Sequence, residues 1–325
     1  MLGRVRVGVH SLIAQGAVFR SIDGHVQLGA GSAVIENSVV IGRPGLETTI
    51  GHRSVFGHRC TVIGAIVGNL CEIGNGSTLM PGAHLGDRVF LGERTLVPAG
   101  ARIPDNAVAV GNPARVVRSA TDADIARLTG LRDGDLSLPT DTNLSDLVGH
   151  QEVGPTMGQL YAYRDKTPTV APSAYVFDSA EITGDVVIGA ESIIGAGVKI
   201  IGDSHGPVRI GARVQILENS VLHLLPDNEL IVEDDVIIGP SAMIHGCHLG
   251  ARTVVEPAAT VCDWSKVGSD SIVGAGAVVK QRDTFGDHSV IDGFPAVRVD
   301  TVTGTPAQPA WAFQPGDLDT LARVQ

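Results

Sequence analysis

Aromatic residues make up only 4% of this 325-residue chain, so its core cannot be built from large rings. It must be narrow and filled by Val, Ile, Leu and Ala. Cysteine is scarce too: Cys60, Cys71, Cys247 and Cys262 form no CxxC pair and fit no zinc-knuckle spacing. They read as small reduced residues of a core or interface. Basic residues are in deficit, with 24 Lys and Arg against 35 Asp and Glu and a net charge of −11. Such a surface offers no basic stripe for phosphates, which excludes nucleic acid as a partner. No long span is free of charge, and the start MLGRVRVGVHSL lacks an apolar signal region. The expectation is a soluble cytoplasmic protein with no membrane partner.

Glycine is abundant instead, at 41 residues, and it accompanies a strict repeat. An aliphatic or aromatic residue recurs every six positions at Ile50, Phe56 and Val62, then at Val67, Ile73, Leu79, Leu85, Leu91 and Val97. The second half repeats the series at Val232, Ile238 and Ile244, then Leu249, Val255, Val261, Val267, Val273 and Val279. Both contain a single step of five, which fixes the offset between the halves at 182 residues. The same offset carries Glu36-Asn37-Ser38-Val39 onto Glu218-Asn219-Ser220-Val221, the mark of a tandem duplication.

Apolar strands of this period, with no helical crossovers between them, predict a solenoid with three six-residue sides per coil. The fold class expected is all-β with short α-helices: two tandem left-handed parallel β-helices, each followed by a short helix. The boundaries are 1–131 for the first, 132–158 for a linker rich in Gly, Asp, Ser, Thr and Pro, and 159–325 for the second. Thr121 is positioned to cap a helix with Ile125, Leu128 and Leu131 on one face, and Asp317 to start another in the tail.

Val236 to Gly250, VIIGPSAMIHGCHLG, resembles the metal-binding coil of γ-class carbonic anhydrases, roughly I-G-H-x-x-x-x-H-G-C-x-I-G. The second histidine of that pattern is His245, and the first is replaced by Pro240. In the first half, VFGHRCTVIGAIVG occupies the same register with the reverse loss: His58 is present and Ile63 replaces the other. A further family histidine is His223 in SVLH, whose twin is Ile41. The family's R-G-D run divides likewise, with Arg20 kept in Arg20-Ser-Ile22 and Asp203 kept in Ile201-Gly-Asp203. Leu160 to Pro168 resembles the strap that leads into these domains.

The resemblance therefore implies a zinc site, with iron or cobalt as possible substitutes, whose ligands His58, His223 and His245 come from unlike halves within or between chains. Zinc with three protein ligands and one open position activates water. Arg20 and Asp203 are implied to meet near the metal, and Glu218 takes the family's acidic catalytic position, although Leu217 replaces the Gln before it. The partners implied are a small-molecule substrate, carbon dioxide or another small electrophile, and further copies of the chain in a homo-oligomer that places unlike halves in contact. Two alternatives stand beside this reading: a metal-free scaffold of the same family, and a hexapeptide-repeat acyltransferase using a histidine base.

Overall fold

In the first half, Leu79 pairs in parallel with Val62 on one side and with Val97 on the other. Ile73 pairs likewise with Phe56 and Leu91. Strand neighbours are thus one coil apart in sequence, the arrangement of a left-handed β-helix. The computed structural model describes residues 1–139, 143–148 and 157–322, and apart from the helices Asp122–Gly130 (α1) and Asp317–Ala322 (α2) its regular elements are strands.

The six-residue residues form the core. Val62, Leu79, Leu85 and Val97 are fully buried, as are Ile238, Ile244, Leu249 and Val255. Two separate apolar clusters result, one per half. Burying branched aliphatic side chains at about 25 cal/mol per Å² is what holds each stack of coils together. The corners need backbone that turns left-handed, and it appears every six residues at Leu70, Gly76, Gly82, Arg88, Arg94, Gly100 and Asn106. The second half repeats this at Arg252, Ala258, Trp264, Asp270, Gly276, Arg282 and His288.

Corner amides and carbonyls that the strands leave over are satisfied by a ladder of small polar residues. Ser54 Oγ donates to Gly68 O at 2.7 Å, while Cys71 N donates to Ser54 Oγ at 3.0 Å. Cys71 Sγ continues the ladder to Gly86 O at 3.2 Å, and Cys60 Sγ donates to Gly74 O at 3.3 Å. Burial pushes both thiols up to about 12, so each keeps the proton it donates. The expected reduced core role of Cys60, Cys71 and Cys247 agrees with their burial as free thiols, and Cys262 is half-buried.

The chain divides into two compact units, Met1–Val153 with Gln314–Gln325, and Gly154–Phe313. The tail helix expected to belong with the second solenoid thus groups with the first, where Arg43 Nη1 lies 2.6 Å from Asp317 Oδ2 and Leu321 is buried. Within the segment expected to be linker, Leu144–Val148 is a strand paired antiparallel to Leu2–Gly8. Residues 140–142 and 149–156 of that segment lie outside the described residues. In α1, Thr121 and Asp124 form a reciprocal capping box, and Leu128 is fully buried against Leu70 and Phe90. Leu131, expected on the same apolar stripe, is 54% exposed because the helix ends one residue earlier.

Candidate functional site

Three parallel strands of the second unit carry the site: Lys199–Gly202, Val221–His223 and Met243–His245. Leu222 pairs with both Ile200 and Ile244 and is fully buried with them. Because side chains alternate across a strand, the next residue faces out. His223 and His245 are paired in register on adjacent rungs, with ring centroids 5.2 Å apart and planes at 81°.

His245 is aimed by a residue one coil later. Its Nδ1 lies 2.8 Å from Asp263 Oδ2, and a carboxylate only accepts, so Nδ1 donates and Nε2 retains its lone pair. Asp263 is buried, with its other oxygen accepting from Leu225 N at 2.8 Å and Asn228 Nδ2 at 3.1 Å. Burial works to raise the Asp263 carboxyl, but the Leu225 amide, His245 and Asn228 outweigh it and hold the group below its ordinary value.

On the other flank, Asp203 Oδ2 lies 3.6 Å from His223 Nε2, and the His205 ring is 5.2 Å from that of His223. Asp203 Oδ1 accepts from His205 N at 2.9 Å, and His205 Nδ1 lies 3.1 Å from Leu224 O. Burial of the His223 ring lowers its pKa, the neighbouring His245 and His205 lower it further, and Asp203 opposes them. His223 is therefore neutral at pH 7 and able to ligate. Burial works against the charge of Asp203 as well, yet the His205 amide and the two imidazoles hold its carboxyl down.

Glu218 is fully buried at the turn leading into Val221–His223. Arg20 and His58 belong to the first unit. Arg20 is fully buried in register with Ile41, which pairs in turn with Ile63, also buried. His58 is largely exposed, with Nδ1 3.0 Å from Glu36 Oε2. The first unit thus carries isoleucines where the second carries His223 and His245, and Pro81 where it carries Asp263.

Of the residues expected from sequence, the second unit brings together His223, His245 and Asp203, and it adds His205 and Asp263. Asp263 escaped notice although an acid one coil beyond a ligand histidine is a readable signal. His52 serves a turn, accepting Ala30 N at 3.0 Å on Nδ1. His248 Nε2 lies 2.7 Å from Glu233 Oε1, away from this cluster.

Residues 47–81 match the hexapeptide repeat of succinyl-transferase. The carnitine operon protein CaiE of Proteus sp. is 32% identical over 140 residues, 43% of this chain and 71% of that protein. A carbonic anhydrase of Geobacillus kaustophilus is 39% identical over 109 residues, 34% of this chain and 59% of that protein. Gamma carbonic anhydrase 1, mitochondrial, of Arabidopsis thaliana is 36% identical over 138 residues, 41% of this chain and 50% of that protein. The chain thus spans between half and three fifths of the lengths of the two carbonic anhydrases. Among the described residues, no helix is long and apolar enough to cross a membrane.

Proposed function

Because this chain belongs to the hexapeptide-repeat family of left-handed β-helix proteins that includes the γ-class carbonic anhydrases, we propose that it is a zinc enzyme of that type. The reading is of a cytoplasmic homo-oligomer acting on carbon dioxide or another small electrophile. The observation that carries it is the pair His223 and His245 on adjacent rungs, with Asp263 leaving Nε2 of His245 open. Two outward imidazoles 5.2 Å apart, one of them held neutral by burial, fit a borderline-soft divalent ion.

The third ligand proposed is His58 of a first-half unit, which is exposed on its own unit and so free to meet a partner surface. When bound, zinc supplies a Lewis acid that acidifies water toward neutral pH. The chain's own residues do the rest. Asp263 fixes the tautomer of His245, Asp203 is proposed to meet Arg20 and orient the junction, and Glu218 is proposed to take up a proton from the reacting water. The carboxylates of Asp203 and Asp263 beside the histidines disfavour an anionic substrate and favour a small neutral one.

The isoleucines of the first unit support a scaffolding part for that half, which supplies His58 and assembly rather than a second site. An acyltransferase reading draws on the description of the matched repeat and on the uncharacterized transferase YtoA of Bacillus subtilis, 45% identical over 86 residues, 26% of this chain and 50% of that protein. The test is carbon dioxide hydration by the metal-replete chain, followed by stopped flow with a pH indicator. Hydration lost in His58→Ala and in His245→Ala is expected; metal-replete wild type without hydration overturns the reading.

A further inference from the structure

On the flank of the histidine pair, Asp203 and His205 are not among the proposed zinc ligands and stand beside one that is, His223. Asp203, His205 and His223 each place one ligating atom so that all lie within 4.8 Å of one another. The distance from Asp203 Oδ2 to His223 Nε2 is 3.6 Å, beyond ordinary hydrogen-bond length. It is close to the edge of a tetrahedron with bonds of about 2.1 Å, which is about 3.4 Å. His205 is oriented by its own turn: Nδ1 lies 3.1 Å from Leu224 O and 3.6 Å from Asp203 Oδ1. Asp203 is held by the His205 amide at 2.9 Å, so a carboxylate and an imidazole are locked two residues apart in one turn. In the first half Ile22 stands in the place of Asp203, so no counterpart exists there.

We propose that Asp203, His205 and His223 form a two-histidine, one-carboxylate site for a divalent cation, contained wholly in the second unit. It rests on the reading of His223 as a ligand given above and extends it: His205 and Asp203 retain the cation when no histidine arrives from a first half. Because His223 belongs to both arrangements, the two hold one and the same ion. A set of two imidazoles and one carboxylate suits iron(II), cobalt(II) or zinc.

The experiment titrates cobalt(II) into the full chain after removal of metal with a chelator, following visible absorption and heat. His58→Ala is expected to bind one cobalt per chain. Adding His205→Ala or, independently, Asp203→Asn to that variant is expected to weaken binding by roughly tenfold or more, as loss of ligands and their supports does. Two different substitutions guard against a folding defect in either, and circular dichroism checks both. The proposal is overturned if His58→Ala binds no cobalt, or if the double variants bind as tightly as His58→Ala. Hydration activity of the wild type plays no part in this titration, so failure of the enzymatic reading and failure of this site give different results.

Discussion

At the scale of single residues, the capacity of His245 to ligate depends on Asp263, which touches no substrate. Without a carboxylate on Nδ1 the imidazole is free to rotate or change tautomer, and Nε2 is no longer committed outward. Asp263→Ala is expected to weaken zinc binding by about 10- to 100-fold, measured by competition with a chromogenic chelator. Unchanged affinity would remove Asp263 from the site. Its buried carboxylate also holds Leu225 and Asn228, so Asp263→Asn, which retains an acceptor, is expected to lose less. His223 and His245 were legible in the sequence because they stand in a recognisable short motif. Asp263 carries a fainter signal, an acid one coil beyond His245, because its meaning comes from the neighbour that the coil brings beside it.

At the scale of elements, the corners explain a cost the repeat does not advertise. A residue with a Cβ in left-handed backbone is strained by roughly 1 kcal/mol, and the second half places Ala258 there at φ 60°. The first half uses Gly76 at the same corner, at φ 67°. Ala258→Gly is therefore expected to stabilise the chain by up to about 1 kcal/mol, less the entropy gained by the unfolded state. Urea denaturation checks this, and a clear loss of stability would contradict it. The six-residue apolar period was visible in the sequence, whereas these corners were not, because Arg, Asp, Trp and His fill them as often as glycine does.

The segment around Trp311 and Phe313, which packs on the second solenoid, gives a second case at this scale. Gln215 pairs with Phe313 through both its amide atoms, at 2.9 and 3.0 Å, and Phe313 stacks on Phe177 with centroids 5.6 Å apart. Trp311 is buried and bonds to Glu256, whose carboxyl burial raises from 4.5 to about 7. Below pH 4.5 both folded and unfolded states carry the proton, and Glu256 costs nothing. Between 4.5 and 7 the unfolded chain ionises first and binds fewer protons, so stability falls as pH rises; above 7 the penalty is complete. Glu256→Gln is expected to be more stable than wild type at pH 8 and to lose the part of the fall between pH 5 and 8 that this group causes. An unaltered pH dependence of the urea midpoint would show that Glu256 is not its source.

At the scale of the whole chain, the duplication was legible because a single five-residue step occurs at the same place in both halves. The destination of the tail was not: an apolar and acidic segment after Phe313 carries no sign of which core it will join. The structure puts Asp317 against Arg43, a pairing far apart in sequence. Duplication suggests two metal sites, yet the column that holds His223 and His245 in the second unit holds Ile41 and Ile63 in the first, both fully buried. Isoleucine offers no lone pair, and Pro81 leaves nothing in the place of Asp263 to orient a ligand. Nor is the first column a worn site easily restored, because an imidazole at Ile41 would be buried and cost about 1–3 kcal/mol if left without a partner. The chain is accordingly expected to hold one tightly bound divalent cation after loading with excess metal and desalting, counted by elemental analysis against protein concentration. Two equivalents per chain would mean that the first half ligates through residues outside this column, and would contradict the division of labour between the halves.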